Sequence, residues 1–189
     1  MTHSIDFKGI EERLFLLQQM VLGSRAYCEE RGICRRSFPC GDGGWLDYSG
    51  SLQQLVSTYT IECAVKTRVV QDFIAASPRP VEMKRLESEA VEGFSLGVVH
   101  EGNFELTIRE SCNKIIHATS VDLGWKKARL RNPSRQIEYW SGSLHLRGKQ
   151  SRKPWHVELS VLDWAIGMES LHGLLDDGTY WYAVYGLND

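Results

Sequence analysis

Three polar side chains in the stretch RESCNKIIHA have types and spacing that could work together, since Arg109, Asn113 and His117 recur at every fourth residue. On an α-helix that spacing stacks them along one stripe, so a cation, an amide and an imidazole would line one groove. An imidazole that is largely neutral near pH 7 can take a proton from a hydroxyl, and a guanidinium can hold a phosphate oxygen through charge-assisted hydrogen bonds. Asn113 would orient one or the other. The same residues also have a plain structural reading, as an ion-paired arginine, an amide bonded to a loop, and a histidine favoured at a helix C-terminus by the dipole.

The order of Asn113 and His117 in NKIIHA, on a late helix after two long ones, resembles the HEPN superfamily of helical-bundle nucleases. The hallmark of that family is an Arg and a His separated by four to six residues, commonly with Asn directly after the Arg. Asn113 and His117 match the Asn and His places, Cys112 stands in the Arg place, and Arg109 is the nearby substitute one turn earlier. The resemblance implies metal-independent RNA cleavage without a cofactor, His117 acting as general base on the ribose 2′-hydroxyl and Arg109 stabilising the phosphate. It further implies a homodimer with the two stripes facing each other, in a toxin or defence setting. Cys112 favours the alternative, a non-catalytic interaction module of the same architecture that binds a protein partner as an antitoxin, immunity or regulatory protein.

A second feature is electrostatic. Between Lys126 and Lys153 stand nine cations, Lys126, Lys127, Arg129, Arg131, Arg135, Arg147, Lys149, Arg152 and Lys153, against one acid, Glu138. The segment is near +8 in a chain whose net charge is −2, and that asymmetry points to an anionic partner. Trp125, Tyr139, Trp140 and Trp155 are interleaved with the cations, a composition that suits phosphate neutralisation with base stacking and therefore RNA. The competing reading has the rings packing a sheet onto helices while the cations are solvated.

Other chemistry is poorly supported. Cys28, Cys34 and Cys40 lack the paired spacing of a zinc site, so no metal is expected; Cys63 and Cys112 fall on apolar faces, and GDGG at 41 to 44 lacks the ending of a phosphate loop. Cys112 and His117, five residues apart, would diverge on a helix and make a poor nucleophile and base pair.

The elements that must hold these residues are read from periodicity. Ile10, Leu14, Leu17 and Val21 predict a helix over 4–30, and Leu52, Val56, Tyr59, Cys63, Val70 and Phe73 a second over 51–76, with Ser51 and Gln54 as a capping box and the Gly-rich 32–50 as a loop. A short charged helix should occupy 80–92, then a connector or strand. Asn103 should cap a helix carrying the stripe, and a last helix should run over 160–175. Between those two, VDLGW, QIEYWSGSLHLRG and WHVEL alternate as strands do. The expected fold is a mainly α bundle of four to five helices, one HEPN-like domain over 1–189, with a small basic antiparallel insert at about 119–159.

Length and composition agree with one globular domain: 189 residues, 42% hydrophobic and 24% charged. The acidic start MTHSIDFKGIEERLF does not read as a secretory signal, and no run is long and apolar enough for a bilayer, so a cytoplasmic protein with reduced thiols and no membrane contact is expected.

Overall fold

The computed structural model describes residues 7–35, 44–76, 82–129 and 136–176. The chain runs α1 (Phe7–Arg31), α2 (Trp45–Ala75), α3 (Met83–Ala90), β1 (Gly97–Glu101), α4 (Ile108–His117), β2 (Ser120–Arg129), β3 (Gln136–Gln150), β4 (Lys153–Ser160) and α5 (Val161–Asp176). All strand pairs are antiparallel, and the order across the sheet is β1-β4-β3-β2.

This corrects the expectation of a helical bundle with a small β insert. The four-stranded sheet is a substantial layer rather than a small insert, and its edge strand β1 comes from before α4, outside the predicted insert. The reason lies in β3, 15 residues long, where Trp140, Gly142, Leu144, Leu146 and Gly148 are buried in alternation while Ser141, Ser143, His145, Arg147 and Lys149 face outward. That inward row meets a matching row on β4, Trp155, Val157 and Leu159, and the two continue into one core with Leu14 and Leu17 of α1, Val56 of α2, Cys112 of α4 and Trp164 and Met168 of α5. Gly142, at φ 85°, is where α1 meets the sheet, since a Cβ there would lie 2.6 Å from Val21 Cγ1. The sheet is therefore a layer packed on the helices.

Helix boundaries move as well. α2 begins at Trp45, so residues 45–50 of the expected loop are helical and Ser51 is interior, not a cap. Trp45 is buried against Trp125, ring centroids 4.5 Å apart, in a small second cluster with Cys28, Ile33 and Ile137. The cap of α4 is Thr107 rather than Asn103, its hydroxyl accepting from the Glu110 backbone N–H at 3.1 Å. At α5, Ser160 Oγ donates to Asp163 Oδ2 at 2.5 Å. The apolar faces stand as the periodicity predicts: Ile10, Leu14 and Leu17 on α1, Leu52, Val56, Cys63 and Val70 on α2, and Val161, Trp164, Ala165, Met168 and Leu171 on α5 are all buried. Among the described residues no helix is long and apolar enough to cross a membrane.

Candidate functional site

Starting α4 at Ile108 puts Arg109 in its first turn and His117 at its last residue, about 12 Å apart along the axis. Arg109 is held at the upper end: its guanidinium donates to Asp72 Oδ1 of α2 at 2.9 Å, and its backbone N–H donates to Glu87 Oε2 of α3 at 3.3 Å. The predicted three-residue stripe is therefore divided, and Arg109 does not join the other two in a groove. Burial pushes the Glu87 carboxyl up from its usual range, against the opposing pull of Arg109 and Arg68.

The lower end forms a cleft of about 500 Å³ between α4 and the β3–β4 hairpin, lined by Glu110, Asn113, Lys114, His117, Lys149, Gln150 and Trp155. Asn113 Nδ2 donates to Glu110 Oε2 at 3.2 Å, and His117 is exposed with no hydrogen-bond partner for its ring among the described residues. The end of α4 is fastened to β3 by the Thr119 N–H, which donates to the Arg147 carbonyl at 2.8 Å. Gly148 makes the close approach possible: a Cβ at that position would overlap the Trp155 ring and sit 3.1 Å from the His117 carbonyl.

The cleft also holds Lys114, Gln150 and Trp155, which the sequence pattern does not assign to a catalytic site. Lys114 is 4% exposed, yet its ammonium donates to Gln150 Oε1 at 3.1 Å, lies 2.8 Å from Glu110 Oε1, and sits over the rings of Phe104 (4.1 Å) and Trp155 (4.8 Å). The spacing of Glu110 and Lys114, one helical turn, is the signal for an ion pair that the sequence does contain. With its charge matched by Glu110, Lys114 anchors the cleft, and Lys149 is left as the exposed cation beside His117.

The nine predicted cations do not form one surface. Arg131 and Arg135 lie outside the described residues; the remaining seven are exposed, but strand register separates them. Arg129 pairs with Gln136 at one end of the β2–β3 ladder and Ser120 with Arg147 at the other, so Lys126, Lys127 and Arg129 stand roughly 20–30 Å from the far end of the ladder. Arg147, Lys149, Arg152 and Lys153 gather near the hairpin that closes the cleft, with Arg147 paired to Asp122 at 2.9 Å. The aromatic residues of this segment are not a stacking platform either: Trp140 and Trp155 are buried, and Trp125 and Tyr139 pack on the cluster around Trp45 and Ile137.

Neither described candidate thiol is poised for nucleophilic work. Cys112 is wholly buried with Sγ 3.9 Å from Met168 Sδ, and burial pushes its pKa up to about 12, as it does for Cys63. Cys28 and Cys34 are also buried and form no disulfide among the described residues, and Cys40 lies outside the described residues. No family model matches this chain, and neither a curated protein nor a solved structure matches it.

Proposed function

We propose that this protein acts on RNA at the cleft between α4 and the β3–β4 hairpin. The observation that carries the reading is the meeting, in one cleft, of Asn113 and His117 from the helix with Lys149 from the basic strand. An imidazole at the mouth of a cleft beside an exposed ammonium can serve a phosphodiester: His117 takes the proton of a ribose 2′-hydroxyl, the oxygen attacks phosphorus, and the bond to the 5′ oxygen breaks as that oxygen takes up a proton. Lys149 takes the phosphate role that the HEPN resemblance had given to Arg109. Arg152 and Lys153 extend the positive edge along which a single strand would run.

A second reading, a non-catalytic interaction module of the antitoxin, immunity or regulatory kind, draws on two observations. Arg109 is committed to Asp72, and a groove of about 630 Å³ with an almost wholly apolar lining, including Leu16, Met20, Tyr27 and Leu55, lies open between α1 and α2.

The test is RNA cleavage in EDTA by the wild-type chain and by His117→Ala, alongside RNA binding by both. The catalytic reading expects product from wild type and a loss of at least a hundredfold in the variant with binding retained. Binding without cleavage by either protein would leave a binding module, and absence of both would sink the RNA reading in favour of a protein partner.

A further inference from the structure

The outward face of the sheet carries a second group of side chains, remote in sequence and unused by the cleft. His145 of β3 stands opposite Glu158 of β4, Arg147 stands opposite His156, and His100 reaches in from the β-bulge of β1. The three imidazoles are in contact. His145 Nδ1 and His156 Nε2 are 3.3 Å apart, and the His100 and His156 ring centroids are 4.7 Å apart. His100 Nε2 lies 3.0 Å from Glu158 Oε2.

We propose that His100, His145 and His156 bind a divalent transition cation of the zinc class, with Glu158 holding the second ring nitrogen of His100. Two nitrogens bound to a tetrahedral zinc at about 2.0–2.1 Å from the metal lie roughly 3.3–3.4 Å from each other, the separation already present between His145 and His156. Those two nitrogens stand at hydrogen-bond distance, and a cation would replace that contact by taking a lone pair from each.

Glu158 completes the pattern in which a ligating histidine gives its other ring nitrogen to a carboxylate, which fixes the ring and raises its basicity. As a carboxylate, Glu158 also offsets part of the metal charge. Arg147, the nearest opposing charge, is paired with Asp122 at 2.9 Å. Among the described residues no three such donors yet converge on one point. What must move is the His100 ring, whose side chain is 42% exposed on the solvent face. Imidazole donors select zinc, cobalt, nickel or copper over magnesium and calcium.

The full chain, stripped with EDTA and desalted, is titrated with Zn²⁺ by calorimetry and with Co²⁺ by visible absorption. One ion per chain and a tetrahedral ligand-field band are expected, with affinity falling at least a hundredfold in His145→Ala and His156→Ala, and about ten- to a hundredfold in Glu158→Gln. His117→Ala, in the separate cleft, should bind as wild type does. His145→Gln keeps a polar side chain of similar size and carries the same expectation should an alanine variant unfold early in EDTA. No binding by wild type, or equal binding by wild type, His145→Gln and His156→Ala, would overturn the proposal.

Discussion

Lys114 and His172 are both buried ionisable groups, and they are accommodated in opposite ways. Around Lys114, Glu110, Gln150 and two ring faces replace water at the ammonium. His172, 3% exposed with Nε2 3.0 Å from Thr67 Oγ1, keeps its neutrality, because burial lowers its pKa to about 4. Above pH 6.5 the ring is neutral in folded and unfolded chains alike. Below it the unfolded chain takes a proton that the folded chain refuses, so stability declines from pH 6.5 down to about 4. Glu87, with its carboxyl raised, works in the other direction, since the folded chain takes its proton first as pH falls. Denaturant unfolding at pH 7 and pH 5 should show a loss of about 2 kcal/mol attributable to His172, and His172→Gln should remove most of that difference.

Among the elements, α4 decides where the chemistry can be. Its cap is Thr107, whose hydroxyl accepts from the Glu110 backbone N–H, although the sequence pattern points first to Asn103. Thr107→Ala should lower stability by about 1 kcal/mol, whereas Asn103→Ala should change the unfolding midpoint little. The apolar faces of α1, α2 and α5 were legible because each is a long stretch with one period, and β2 to β4 were legible from alternation. β1 was legible only as a connector or strand: Gly97–Glu101 is five residues long and mostly exposed, and its pairing with β4 decides for the strand. The cleft was legible in part. Asn113 and His117 stand out by helical spacing, but their separation from Arg109 depends on how α2 and α3 present Asp72 and Glu87. The histidine cluster could not be read at all, because His100 meets His156 only through a pairing of strands that sequence spacing does not encode.

For the whole molecule, register turns one basic segment into two. Counting residues between Lys126 and Lys153 suggests a single patch, while the hairpin folds its halves to opposite ends of the ladder. If RNA runs along the cleft edge, only the cations near the β3–β4 turn meet its phosphates. The triple replacement of Lys149, Arg152 and Lys153 by Gln should then weaken RNA binding and reduce the slope of log affinity against log salt by about 2, at roughly 0.7 per phosphate contact for a single strand. The triple replacement of Lys126, Lys127 and Arg129 should leave the slope near that of wild type. Equal effects from both sets, read by fluorescence anisotropy over a salt series, would mean that the strand covers the length of the sheet.

The strand order has one more outcome. β1 leaves the ribosome early, but its only hydrogen-bonding partner among the described strands is β4, with Gly97 opposite Leu159. Until both are synthesised and α4 has folded between them, the outer edge of β4 offers unpaired amides and carbonyls to any passing strand, including that of another nascent chain. Closing so distant a pair is also slow compared with joining neighbours along a meander. The last ladder of the sheet to zip is thus the one that both seals its edge and brings His100 beside His156.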